Sequence, residues 1–379
     1  MGESIEDRDL LLSDGKIEDI IDRDAPTPAG YEEIECGGAY VSAGFVDIHQ
    51  HGGGGSDYMD GSPEDYINAT EAHLAHGTTS VMPTLLSAST EAILKAVNNY
   101  KLAKESGRLR ANLLGLHIEG PYISAEQAGA QKPEHIREFD PSEYRMIAEA
   151  ADGAIKRWSV APEVAGAEEF AAFAKKEGIA LSIAHSNADF DTVVRAYDMG
   201  YRHITHFYSC MSTIVRRGGF RVAGAIEAAY FIDGMDVEII ADGCHLPKNL
   251  LAFVAKFKKS ENIALITDAM RAAGQETGES FLGSREDPLP VIVEDGVAKL
   301  TDRSAFAGSV ATADRLVRNM VECGVPLAEA VAMMTVNPLR MMGLDVKKGE
   351  LKKGYDADIC IFDGDINIKK VICNGNIIV

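Results

Sequence analysis

The residues of this chain whose types and spacing could do chemistry begin with a histidine pair. His49 and His51 flank Gln50 at the end of an apolar run containing Phe45, Val46 and Ile48. Side chains alternate faces along a strand, so the two imidazoles are expected to point the same way. Two imidazoles on one face of a strand end can grip one metal ion. The glycines at 52–55 follow, and such a run lets the backbone turn sharply beside whatever sits there. Alone, an HxH spacing suits two ordinary polar residues as well as it suits a ligand pair.

Further polar residues recur just beyond short apolar segments. Glu119 closes His117-Ile-Glu-Gly-Pro, His185 opens His-Ser-Asn, and His206 lies in Ile204-Thr-His-Phe-Tyr. His245 ends Ala241-Asp-Gly-Cys-His, and Asp268 lies in Ile266-Thr-Asp-Ala-Met. A strand-end histidine commonly just hydrogen-bonds a neighbouring carbonyl. Four histidines (His49, His51, His185, His206) and two carboxylates (Glu119, Asp268), each closing a strand, are hard to assign to packing. Imidazole and carboxylate ligands suit zinc, iron or another divalent ion. Such an ion lowers the pKa of water toward neutrality and supplies a hydroxide nucleophile for a carbonyl. Asp268 is suited to move the proton to the leaving group. The pattern predicts a metal-activated hydrolase. His117 is expected to support the site without ligating, and His203 to face the helix layer. His73, His76 and His135 are expected at the surface.

These residues need a scaffold that brings many strand ends together. Apolar, β-branched strands are predicted at 44–48, 80–85, 112–118, 156–161, 180–184, 203–206, 237–241 and 263–267. Helices are predicted between them at 63–76, 88–106, 167–176, 189–199 and 248–258. Eight strands with crossover helices predict an α/β fold of the (β/α)8 TIM-barrel type, whose strand ends converge on one face. A doubly wound sheet is the alternative, but no glycine fingerprint follows the first strand. A hairpin insertion is expected at 289–306, with closing helices at 312–323 and 327–334. Both chain ends read as short strands. The expected organisation is a small β-domain built from 1–42 and 346–379 around a barrel at 43–345.

Composition narrows the partners. Lys+Arg is 37 and Asp+Glu is 58, a formal net charge of -21. So acidic a chain is a poor binder of nucleic acid or an anionic membrane. An anionic substrate would need a local basic pocket, and Arg216, Arg217 and Arg221 form one cluster of positive charge. Planar guanidinium groups bind phosphate bidentately, the favoured reading over a solvated loop making surface ion pairs. The six cysteines are scattered with no CxxC pair, as expected of free thiols in a reducing cytosol. No apolar run is long enough to span a bilayer.

From about Asp9 to Val379 the sequence resembles the amidohydrolase superfamily, and within it the N-acetylglucosamine-6-phosphate deacetylases. The resemblance rests on Gly115-Leu-His-Ile-Glu-Gly-Pro, His185-Ser-Asn-Ala, Thr205-His-Phe-Tyr, Ile240-Ala-Asp-Gly-Cys-His and Thr267-Asp-Ala. It implies one ion, zinc or iron, held by Glu119, His185 and His206, with a possible second at His49 and His51. Asp268 would be the acid–base residue. Gln131, Ser209, Cys210, Arg217, His245 and Ser309 would contact a phosphorylated amino sugar, giving glucosamine 6-phosphate and acetate. A cytoplasmic homodimer is implied as well. The galactosamine epimer, or another cyclic or acyl amide, is the alternative substrate. Two departures stand out. Gln131 occupies a loop, Gly129-Ala-Gln-Lys-Pro133, where the family usually carries histidine. Tyr208-Ser-Cys-Met211 replaces the usual aromatic-Asn-Ala-Met.

Overall fold

The computed structural model describes residues 4–379. Its centre is eight parallel strands: β1 Phe45–Gln50, β2 Thr78–Leu85, β3 Leu116–Glu119, β4 Ile155–Val160, β5 Ala180–Ile183, β6 Tyr201–Ile204, β7 Asp236–Ile239 and β8 Ile263–Leu265. They pair side by side in chain order from β1 to β8, so the sheet curls into a nearly closed barrel. The strand-and-helix alternation therefore builds the TIM-type barrel, not a doubly wound sheet.

Local chemistry starts the surrounding helices. Helix α1, Pro63–Leu74, begins with proline after Ser62, whose hydroxyl accepts from the Asp65 N–H. Asp140 caps α2, Pro141–Ala151, a helix not foreseen from sequence periodicity. Asp189 caps α3, Phe190–Met199. The strands bury apolar side chains on both faces. Ile183, Ile204 and Val237 join the core under the helices. Val46, Ile48, Ile240 and Ile266 instead meet Leu339, Met341 and Met342 from the helix Val336–Met341, which packs against β1 and β8.

Strands from both chain ends share one sheet. Tyr40–Ala43 pairs with Ile359–Phe362, which continues to Ile368–Cys373 and Asn376–Ile377. The hairpin of Arg8–Ser13 and Lys16–Asp22 touches this region through a bridge between Lys16 and Asp356. After β8, a three-stranded sheet of Gly278–Leu282, Leu289–Glu294 and Val297–Leu300 contains the expected hairpin plus one strand more.

Several expectations are corrected. The segment 112–118 is not one strand. It breaks at Gly115, whose φ is +141°, and a Cβ there would lie 3.0 Å from the Ala154 carbonyl oxygen. The helix expected at 327–334 ends at Ala332, and a separate helix follows from Val336. His73 is buried, not exposed, with Nε2 2.9 Å from the Gly52 carbonyl oxygen. A Cβ at Gly53 would strike that imidazole, so the glycine run admits the ring. Burial pulls His73 down to about 4 and keeps it neutral. On β6 it is Ile204 that packs under the helices. His203 is buried with Nδ1 3.7 Å from the Asp236 carboxylate on β7.

Candidate active site and metal centre

The strand ends assemble one cluster around Glu119, the last residue of β3. Its two carboxylate oxygens divide the histidines between them. Oε1 lies 3.2 Å from His185 Nε2 and 2.8 Å from His206 Nε2. Oε2 lies 3.4 Å from His51 Nε2 and 3.8 Å from His49 Nε2. All five residues are buried. Glu119 with His185 and His206, and Glu119 with His49 and His51, are thus two groups whose ligand atoms lie within 4.8 Å of one another. The Nε2 atoms of His49 and His51 are 3.2 Å apart. Imidazole lone pairs and carboxylate oxygens converging so closely are an excess of acceptors, which a divalent cation satisfies. The donor set therefore fits such an ion.

Asp268, just past β8, completes the cluster. Its Oδ1 is 3.1 Å from His51 Nε2 and 3.4 Å from His49 Nε2. Burial pushes Asp268 up, but His49 and His51 outweigh it and hold the carboxyl below its ordinary value. Glu119 behaves alike: burial raises it, His49, His185 and His206 prevail, and it is held well below the carboxylate range. Burial favours neutral histidine. His49 falls to about 3, whereas Asp268 and Glu119 overcome burial at His51 and raise it to about 9. Three of these residues sit in left-handed backbone: His206 at φ +31°, His185 at +45° and Asp268 at +48°. That conformation aims strand-end side chains across the barrel mouth at a cost in strain.

Other groups hold the cluster. His51 Nδ1 is 3.2 Å from the Thr84 carbonyl oxygen, and His185 Nδ1 is 2.8 Å from that of Gln127. His117 stands behind, between Thr84 Oγ1 at 3.0 Å and Ser159 Oγ at 2.6 Å, and is not in either ligand group. Asp47, on β1, accepts from the Thr267 hydroxyl at 2.5 Å and ties β1 to the end of β8. Burial pushes Asp47 up to about 7 against those hydrogen bonds.

The expected substrate contacts have varied settings. Gln131 accepts from the Ser87 N–H at 3.0 Å and donates to Glu119 Oε2 at 3.0 Å, so one amide hydrogen remains. His245 Nδ1 lies 2.8 Å from Asp242 Oδ2, which leaves its Nε2 available. Ser309 is fully buried. Its hydroxyl donates to the Thr267 carbonyl, and its N–H donates to the Asp268 carbonyl at 2.7 Å, so it braces the loop carrying Asp268. The Ser209 N–H donates to the His206 carbonyl. Cys210, half-buried, lies against the ring of His185 and accepts from the Ser186 N–H through its carbonyl. Arg217 stands apart from the cluster on an exposed hairpin of Val215–Arg217 and Phe220–Val222, with Arg216 and Arg221. One buried pair beneath the histidines, Arg157 on β4 and Glu238 on β7, is absent from the residues expected at the site. Charged residues inside barrel strands were its only signal.

The barrel, the strand-end histidines and the shared glutamate define a class. Residues 40–378 match the model of the Amidohydrolase family, and the chain belongs to that family of hydrolases. It is 32% identical to an N-acetylglucosamine-6-phosphate deacetylase of Lysinibacillus sphaericus, over 98% of this chain and 93% of that one. It is also 31% identical to an N-acetylgalactosamine-6-phosphate deacetylase of Escherichia coli O157:H7, over 98% and 95%. A mutant N-acetyl-D-glucosamine-6-phosphate deacetylase of Mycobacterium smegmatis, solved with N-acetyl-D-glucosamine-6-phosphate, superposes with a TM-score of 0.88 at 31% identity, covering 98% and 94%. No helix among the described residues is long and apolar enough to cross a membrane.

Proposed function

We propose that this chain removes the acetyl group from N-acetylglucosamine 6-phosphate, giving glucosamine 6-phosphate and acetate, as a divalent-metal-dependent homodimer of the cytoplasm. One observation carries the reading: Glu119 offers one oxygen to His185 and His206 and the other to His51 and His49, with Asp268 3.1 Å from His51. Zinc or iron, one ion or two, would be held by these residues. It would supply Lewis acidity and a water of lowered pKa. Asp268, ionised and buried, takes the proton of the attacking water and returns it to the departing amine nitrogen. The remaining amide hydrogen of Gln131 is available to the acetyl oxygen. His245, backed by Asp242, can meet a sugar hydroxyl through Nε2. Ser209 and Cys210 lie beside the ligands His206 and His185, Ser309 steadies Asp268 from behind, and Arg217 would read the phosphate.

The relative that acts on the galactosamine epimer favours N-acetylgalactosamine 6-phosphate as the second reading. A single panel separates the two. Metal-replete protein is incubated with both N-acetylhexosamines, phosphorylated and not, and acetate release is measured. A preference of at least about 10-fold in kcat/KM for the phosphorylated gluco sugar is expected, worth about 1.4 kcal/mol. No acetate from any phosphorylated sugar would end the proposal.

A further inference from the structure

Beneath the cluster the barrel interior holds a pair of charges that the reaction above does not use. Arg157 and Glu238 are both fully buried, and Arg157 Nη2 lies 2.6 Å from Glu238 Oε1. Burying an Arg–Glu pair generally costs more in desolvation than the attraction returns, and apolar residues of similar volume would serve packing better. Arg157 is held elsewhere too. It donates to the Thr205 hydroxyl at 2.7 Å, to the Ser182 hydroxyl at 3.2 Å and to the Ile48 carbonyl at 3.3 Å. Those partners belong to β1, β5 and the end of β6, so the guanidinium is locked in place.

Its approach to Glu238 lacks the alignment of a hydrogen bond, and both Glu238 oxygens remain without a donor. Buried carboxylate oxygens need one. One orphan close by is His49 Nδ1, which is also buried without a partner and lies 4.0 Å from Glu238 Oε2. That is about 1 Å beyond hydrogen-bond length, a distance that a small side-chain rotation closes. The pattern matches two of the other histidines, since His51 and His185 each present Nδ1 to an acceptor behind them, whereas His206 Nδ1 has none. Those two acceptors are carbonyls, and that of His49 is a carboxylate.

We propose that Glu238, anchored by Arg157, is a positioning residue for His49: its Oε2 accepts the Nδ1–H, which fixes the tautomer whose Nε2 lone pair faces Glu119 and Asp268. An imidazole ligates through a bare nitrogen, and a carboxylate behind the other nitrogen both selects that tautomer and strengthens the donor. An ion at His49, His51 and Glu119 would therefore be held by a relay of charges reaching to β4 and β7, while one at Glu119, His185 and His206 would not. This rests on the reading of His49 as a ligand.

Metal-stripped wild type is titrated with Co2+, and both bound equivalents and the visible spectrum are followed. The same is done for His49→Ala, Glu238→Gln and the double variant Arg157→Met/Glu238→Gln, which leaves no lone buried charge. Wild type is expected to bind two equivalents. In the double variant one should weaken by about 10- to 100-fold, with a changed ligand-field spectrum, while the other is unaffected. Glu238→Asp should restore part of the loss. If His49→Ala keeps both equivalents, the ligand reading itself falls, and this proposal with it. If His49→Ala loses one equivalent but the folded double variant binds both as wild type does, the positioning role alone is overturned. Should the variants not fold, 15N-histidine NMR of the metal-free wild-type chain decides: a proton on His49 Nδ1 supports the relay, and a proton on Nε2 refutes it.

Discussion

The basic hairpin begins only nine residues after His206, a member of the metal-facing cluster, yet cluster and hairpin are built on opposite terms. Glu119, His49, His51, His185, His206 and Asp268 are buried and held by carbonyls, hydroxyls and one another. Arg216, Arg217 and Arg221 are exposed on a two-stranded hairpin away from the barrel sheet. The first arrangement is preorganised, so nothing needs ordering when charge develops. The second must give up side-chain freedom on binding, up to about 2 kcal/mol per arginine. Reaction chemistry should therefore tolerate almost no change, and recognition should tolerate partial loss.

Removing a ligand tests the buried side hardest. His185→Ala or His206→Ala should lose the ion at Glu119 and bring acetate release to background, with both measured on the same preparation. A full metal complement in either variant would break the assignment. Next comes Asp268→Asn, which keeps size but cannot move a proton. Turnover should fall roughly 10²–10⁴-fold, with substrate binding, read by calorimetry, retained.

Asp47 probes what burial alone contributes. Its carboxyl is raised from 3.8 to about 7, so the folded state binds more protons than the unfolded chain between those values. Its contribution to stability is complete below about pH 4 and is lost as pH rises through 7, on the order of 1–4 kcal/mol in all. Urea unfolding of metal-free protein at pH 5 and pH 8 should show this decline in wild type and a flatter profile in Asp47→Asn. Equal slopes in the two proteins would mean that Asp47 does not titrate in this window.

The smallest effect belongs to the hairpin. Arg217→Ala should raise KM for the phosphorylated sugar by roughly 10- to 100-fold, from one charge-assisted contact of about 1.5–3 kcal/mol. Activity on the unphosphorylated sugar should hardly change. An equal fall for both sugars would show that the hairpin matters to structure and not to phosphate.

The same contrast explains what could be read in advance. Glu119, His185, His206 and Asp268 each close an apolar strand, and barrel geometry turns that one-dimensional position into convergence. Arg157 and Glu238 lie inside strands, where a charge marks a position but names no partner until closure sets the two face to face across β4 and β7. Gln131 was legible as a loop residue near the site, but its clasp on Glu119 depends on the Ser87 N–H from a distant segment. His73 sits on the inward face of its helix, which the helix alone does not reveal, because the glycines that make room for the ring belong to another element.

The left-handed backbone at His185, His206 and Asp268 has a consequence for how such a chain changes over time. An L-residue there gives up roughly 1–2 kcal/mol that glycine would recover. Selection for heat tolerance alone would favour erasing these residues first. The site persists only under continued demand for turnover, and a lineage released from that demand would gain robustness as it lost its chemistry.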